Sequence, residues 1–310
     1  MNTYIIFDLE WNQGYEGNSN PDIPFEIIEI GAVKLDSDKN IIDRFSCLIK
    51  PQVYKKINHI TKQVIHIKMS DLSDSDVFPK VMKAFLKWCG KDYVFCTWGS
   101  LDLTELQTNM RYYGMKPLAS GPISYLDIQK LFSLAKEDGR SRRSLEYAVD
   151  FLGLEKKDDF HRATNDALYT ALIFKKIHSE ELEGHYSFDV FHTPIDRNHE
   201  IHVQFDTYSK YISREFPEKQ DALSDREASS LRCHICKKDV KRKIPWFSMN
   251  GKNYYALGQC PEHGYQRGKL RIKKADGGRV YVVKTIRDAT EEDRTDLFER
   301  YKQYSETTHF

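Results

Sequence analysis

Asp8 and Glu10 stand two residues apart in Tyr4-Ile5-Ile6-Phe7-Asp8-Leu9-Glu10-Trp11, a β-branched and aromatic run that reads as a central strand. A period of two puts both carboxylates on one face of that strand. Two like charges buried side by side are costly unless a cation lies between them, so the pair is expected to hold a metal ion rather than to line an exposed edge. Farther along, His161 precedes Asp166 by five positions at the mouth of an apolar helical run. Alone, that spacing is commonplace on protein surfaces. Its interest is an imidazole, which exchanges protons near neutral pH, set close to a third carboxylate. A fourth, Asp102, falls in the opening turn of Leu101-Asp102-Leu103-Thr104-Glu105-Leu106, where an acid by itself would only complement the helix dipole.

The elements that must position these groups follow from the spacing of apolar residues. After a loop rich in Gly, Asn and Pro, residues 25–35 read as a second strand and residues 41–49 as a third, joined by the turn Asp38-Lys39-Asn40. Val77, Val81, Phe85 and Trp88 recur at helical spacing within 73–88 and are expected in the core. A fourth strand over 92–98 closes at Gly99-Ser100 before the helix that carries Asp102. Residues 123–128 give another short strand, and 144–152 a helix stopped by Gly153. The last helix of this region runs from 163 to about 178, with Ala163, Asp166, Ala167 and Thr170 on one face.

The carboxy-terminal third has a different chemistry. Cys233-His234-Ile235-Cys236 and Cys260-Pro261-Glu262-His263 supply a C-x-x-C and a C-x-x-H pair, linked through a hairpin that turns at Asn250-Gly251. Two such pairs look like a zinc ribbon, with Cys233, Cys236, Cys260 and His263 as tetrahedral ligands of one structural Zn²⁺. His234 is the competing ligand. From Cys233 to Arg287 fourteen Lys and Arg face three acids, an excess of +11 that leaves −10 for the rest of a chain whose net charge is +1. That asymmetry points to a surface for a polyanion. Arg267, Lys269, Arg271 and Lys273 alternate with Gly268, Leu270 and Ile272, which puts four cations on one strand face. Asp276-Gly277-Gly278 turns the chain into a partner strand, and Thr290-Glu291-Glu292-Asp293 caps a terminal helix. No apolar run is long enough to cross a bilayer. With no basic amino-terminal region and six cysteines in no disulfide framework, a cytoplasmic protein is expected.

Taken together, Phe7-Asp8-Leu9-Glu10-Trp11 with Glu26-Ile27-Ile28-Glu29-Ile30-Gly31-Ala32-Val33, Trp98-Gly99-Ser100-Leu101-Asp102, and His161 through Asp166 resemble the three motifs of the DEDDh exonucleases, which include ribonuclease T and the proofreading subunit of DNA polymerase III. The resemblance covers about residues 1–180. It implies an α/β, ribonuclease H-like fold with a five-stranded mixed sheet flanked by helices, here followed by a small β-rich zinc-ribbon-like domain. It further implies two Mg²⁺ or Mn²⁺ ions held by Asp8, Glu10, Asp102 and Asp166, with Asp8 bridging and His161 as general base. Trp11 could stack on the terminal base of a single-stranded RNA or DNA 3′ end, or equally cap the core. The expected domains are 1–185 for the exonuclease, 186–232 as a connector with its linker at 218–232, and 233–310 for the basic zinc-ribbon-like domain. The expected activity is 3′ to 5′ hydrolysis to nucleoside 5′-monophosphates, with RNA slightly favoured. The rival expectation is a regulatory binding protein without turnover whose carboxy-terminal domain meets a protein partner. Four uncompensated carboxylates around one cleft argue against that rival.

Overall fold

The computed structural model describes residues 3–308 apart from Glu16, His66, Arg140, residues 157–158 and residues 179–183. The chain divides into two compact units: Met1–Ala119 with Ile123–Phe191, and Ser120–Pro122 with His192–Phe310.

The first unit is built on a six-stranded mixed sheet. Its centre is β1 (Thr3–Gln13), antiparallel to β2 (Phe25–Leu35) and parallel to β4 (Tyr93–Thr97). Outside them lie β3 (Ile41–Leu48) against β2, and β5 (Ile123–Asp127) against β4. A sixth strand, β6 (Ser187–Asp189), pairs antiparallel with β5. Five strands were expected. The extra one is only three residues long, too short for its period to be read.

Alternation along β1 sorts its side chains between two cores. Ile5, Phe7 and Leu9 pack on one face against Phe85 of α3 (Phe78–Cys89) and Leu103 and Leu106 of α4 (Leu101–Tyr112). Ile6 packs on the other face with Phe132 of α5 (Ile128–Lys136), Val149 of α6 (Leu145–Phe151), and Ala167 and Phe174 of α7 (Ala163–Lys175). Asp8 and Glu10 share the Ile6 face, the one covered by α7. Two short helices, α1 (His59–Val64) and α2 (Met69–Leu72), follow the third strand.

The second unit is larger than a zinc ribbon. Its antiparallel sheet runs β7-β8-β12-β11-β10-β9. The hairpin of β9 (Lys241–Phe247) and β10 (Asn253–Cys260) continues into β11 (Gly264–Lys274) and β12 (Val280–Asp288). The two remaining strands, β7 (Ile201–Gln204) and β8 (Tyr208–Ile212), come from the stretch expected to be a connector. So does α8 (Lys219–Ser224), which lies inside the expected linker. The division accordingly falls at 191/192, and residues 186–232 are folded. Their apolar side chains are used in packing: Phe205, Tyr211, Ile212, Phe216 and Leu231 are all buried.

Lys284 of β12 is 3% exposed, and its Nζ donates to the carbonyls of Glu227 and Ser230 and to Ser230 Oγ. One ammonium thereby ties residues 227–230 to the sheet. The terminal helix α9 (Glu291–Thr308) starts as expected: Thr290 Oγ1 accepts from the Asp293 amide at 3.1 Å and Asp293 Oδ2 from the Thr290 amide at 3.0 Å. Leu297 anchors it among Ile244, Phe247 and Leu257.

Candidate active site

Three of the expected carboxylates meet. Oxygen atoms of Asp8, Glu10 and Asp166 lie within 4.8 Å of one another. Period two along β1 brings Asp8 and Glu10 to one face, and the first turn of α7 delivers Asp166 to the same place. Asp102, at the start of α4, is 6% exposed; its Oδ1 accepts from the Leu9 amide of β1 at 3.3 Å, which sets it beside the cluster.

Without a counter-ion such a group of acids holds its protons. Burial raises the Asp8 carboxyl well above the usual carboxylate range, and the charges of Asp102, Asp166, Glu10 and Glu29 add to the effect. Burial, then Asp166, push Glu10 up to about 8. Burial lifts Asp102 to about 7 and Asp166 to about 6, although backbone N–H groups favour the charged form of each. Asp166 Oδ1 is buried with no hydrogen-bond partner. Hard oxygen donors, mutual repulsion and an orphaned carboxylate oxygen are the conditions a divalent cation such as Mg²⁺ or Mn²⁺ would relieve, so the residues fit the ions the motifs imply.

His161 is exposed, with a left-handed backbone at φ 63°, and its amide donates to Asp166 Oδ2 at 3.2 Å. One Asp166 oxygen therefore shapes the turn that presents His161, and the other is buried without a hydrogen-bond partner. The next residue, Arg162, reaches back to β2. Its Nε and Nη2 donate to the fully buried Glu29 at 3.1 and 2.9 Å, and the Ala163 amide adds a third bond to that carboxylate at 3.3 Å. Glu29 belonged to the quoted motif, but no role was read from it. The signal was there: an acid inside an unbroken apolar run must find a partner.

Gly31, on the same strand, lies directly beneath the start of α7. A Cβ at this position would stand 2.1 Å from the Ala163 carbonyl carbon and the Thr164 nitrogen. No side chain fits there. At the other end of the sheet Asp189 of β6 accepts from Thr104 Oγ1 and Gln107 Nε2, both at 2.7 Å, and so grips the helix that carries Asp102. Nothing in the sequence singled out Asp189.

Trp11 is half-buried, its ring 5.6 Å from that of Phe25 and packed on the core.

In the second unit, Cys233, Cys236, Cys260 and His263 come together within 4.8 Å. His263 Nδ1 is 3.6 Å from both Cys233 Sγ and Cys260 Sγ, and Cys236 Sγ is 3.7 Å from Cys260 Sγ. A tetrahedral metal with arms of about 2.3 Å to sulfur needs ligand edges of about 3.7 Å, so the four donors have the size and softness of a zinc site. His234 is outside the cluster: its Nε2 lies 3.2 Å from Asp288 Oδ1.

The four strand-face cations of β11 do share a face, but they are not equivalent. Arg267 is ion-paired with Asp293, which Arg287 also holds, so that guanidinium serves the cap of α9. Of the four, Arg267 is therefore the one already engaged by a carboxylate. Lys269 lies 5.7 Å over the Tyr255 ring, while Arg271 and Lys273 are exposed.

The sequence profile of the exonuclease family (RNase_T) matches residues 5–174. The chain is 25% identical over 177 residues to a DNA polymerase III of PolC type from Ureaplasma parvum, covering 56% of this chain and 11% of the polymerase. It is 23% identical over 184 residues to the probable 3′-5′ exonuclease KapD of Bacillus subtilis, covering 58% of this chain and 86% of KapD. The match thus spans about a tenth of the length of the PolC-type relatives. The nuclease domain of 3′hExo, a DEDDh family member solved with bound rAMP, has a TM-score of 0.50 at 20% identity, over 61% of this chain and 96% of that one. An exonuclease I structure gives 0.50 at 13% identity, over 87% and 55%. These two likenesses concern the fold. The profile match over more than half of the chain makes this protein a member of the exonuclease family.

Proposed function

We propose that the protein hydrolyses single-stranded nucleic acid from its 3′ end, releasing nucleoside 5′-monophosphates, with RNA slightly preferred over DNA. The observation that carries this reading is the convergence of Asp8, Glu10 and Asp166 within 4.8 Å, with Asp102 fixed beside them. The polarity is supported by the resemblance and by the description of the Bacillus subtilis relative as a probable 3′-5′ exonuclease. The preference for RNA rests on resemblance to the RNA-trimming branch alone. Asp8, Glu10, Asp102 and Asp166 would hold two Mg²⁺ or Mn²⁺ ions, Asp8 being shared. When bound, such ions neutralise phosphate charge and make water a better nucleophile.

The remaining roles belong to the chain itself. His161, exposed and with its backbone pinned by Asp166, takes the proton of the attacking water. Cys233, Cys236, Cys260 and His263 bind one Zn²⁺ that stabilises the second unit. Lys269, Arg271 and Lys273 offer the substrate's phosphates a cationic strand face. Six cysteines outside any disulfide suit a reducing compartment, so a cytoplasmic location belongs to this reading.

The test is incubation with end-labelled single-stranded RNA and DNA in Mg²⁺ or Mn²⁺. Stepwise shortening from the 3′ end with release of 5′-monophosphates is expected, and Asp166→Asn should abolish it while the protein still melts cooperatively. Internal cleavage, or no cleavage of either strand with either metal, overturns the reading.

A further inference from the structure

A second feature of the first unit lies outside the acid cluster. Between the third strand and α2 the chain encloses a hollow of about 480 Å³, within the range of small-ligand pockets. Its floor is apolar, with Ile65 2% and Ile67 4% exposed beside Ile57 and Met69. Its rim carries four exposed lysines: Lys55, Lys56, Lys62 and Lys68. Among the described residues none of these ammonium groups meets a carboxylate; Lys55 makes only a 3.3 Å bond to the Pro51 carbonyl. Four unneutralised cations around one cavity repel one another, and the arrangement is relieved by an anion with several charges.

The hollow is fastened to the strand that carries the metal-binding acids. Asn12, two residues past Glu10, donates through Nδ2 to the Lys56 carbonyl at 2.9 Å, and its Oδ1 accepts from the Asn58 amide at 2.9 Å. Thr61 Oγ1 donates to the Trp11 carbonyl at 3.5 Å. The segment from Lys56 to Thr61, which carries part of the rim, is therefore held by bonds to the residues just past Glu10.

Resting on the exonuclease reading above, we propose that this hollow receives the nucleotides upstream of the one being removed. The lysines meet their phosphates, and the Ile and Met floor lies against sugar and base. A nucleic-acid strand combines repeated negative charge with flat apolar faces, and the hollow sets four cations beside an apolar floor. An acidic peptide shares the charge but not the flat apolar faces, and it is an outcome of the test.

The experiment uses the full-length protein carrying Asp166→Asn, so that the strand is bound and not cut. A 5′-labelled single-stranded RNA of about eight nucleotides, a common site size, is titrated by fluorescence anisotropy across a range of salt. The same measurement is made after Lys55, Lys56, Lys62 and Lys68 are all changed to Gln, and again with Lys62→Glu alone. Each phosphate contact on a single strand adds about 0.7 to the slope of log affinity against log salt, so the fourfold variant should lose roughly 2 to 3 from that slope. Lys62→Glu should move it in the same direction by about 1. These positions are exposed, so the melting temperature should stay within a few degrees, and the single variant is read if the fourfold one does not fold. An unchanged slope and affinity overturn the proposal. So does competition by an acidic peptide that binds through the lysines while strand binding ignores them. A lowered slope in a protein whose wild type cleaves nothing would leave this site standing and remove only the exonuclease reading.

Discussion

Glu29 and Arg162, 133 positions apart, form a two-point ion pair in which the carboxylate is completely buried and the guanidinium partly exposed. The pair fastens the turn that holds His161 and opens α7, so the position of Asp166 depends on it. Replacing Arg162 by Met leaves a buried charge without a counter-charge and should cost about 3 kcal/mol or more. Adding Glu29→Gln removes the charge, keeps an acceptor for the Ala163 amide, and should restore most of that loss. Urea unfolding of both single variants and the double variant measures the coupling; strictly additive effects would show that the two residues do not act as a pair.

Asp189 should matter to catalysis although it is not in the acid cluster. Asp189→Ala removes an acceptor from the Gln107 amide and the Phe191 amide and leaves the Thr104 hydroxyl only the Ser100 carbonyl, at a cost of about 1–3 kcal/mol. It also frees the helix that carries Asp102. Small displacements of a reacting group are expensive, so a fall in kcat of about tenfold or more is expected, with Asp189→Asn between it and wild type. A variant that loses stability but turns over at the wild-type rate would reduce Asp189 to a structural role.

The acid cluster makes the metal-free protein sensitive to pH in an unusual direction. Glu10, Asp102 and Asp166 titrate at about 8, 7 and 6 in the folded state, above the ordinary range of unfolded carboxylates. The folded form therefore binds more protons than the unfolded form between about pH 4 and pH 8, and stability falls as pH rises through that window. Protein freed of Mg²⁺ and Mn²⁺ should melt lower at pH 8 than at pH 5.5, and either ion should raise the melting temperature more at pH 8. Melting curves with the reverse order would mean that the acids are already neutralised by something else.

Cys260→Ser should weaken the second unit severely, because a metal held by four donors supplies much of the folding free energy of a small domain. Metal analysis of protein purified without chelator should find about one zinc per chain in the wild type and much less in the variant. A wild-type protein without zinc that melts as cooperatively as before would leave Cys233, Cys236 and Cys260 as ordinary buried thiols.

The acids were legible because their signal is local and physical: charges two apart in an apolar strand, an acid in a helix's first turn, and an acid and a histidine bracketing another. The long strands were legible for the same reason, and β2 occupies the expected residues 25–35. What escaped reading was non-local or short. Asp189 acts through partners 82 and 85 positions away, which no window reveals. The strands β6, β7 and β8 are three to five residues long and sit among polar residues, so the stretch containing them looked like a connector. The alternation in β11 correctly gave the face of Arg267 but could not show that Asp293, 26 positions later, occupies its guanidinium.

The contact beneath α7 has a consequence for how this protein would respond to mutational scanning. Substitution to alanine is usually the mildest change available, and a position without a functional group is usually the most forgiving. Position 31 should defy both habits. Every replacement for Gly31 introduces a carbon that Ala163 and Thr164 already exclude, so the alanine variant should be nearly as inactive as any bulkier one. A profile of tolerated residues along β2 would then show a complete block at the one site that contributes no side chain, and it would mark how closely helix and strand must approach for Asp166 to reach Asp8.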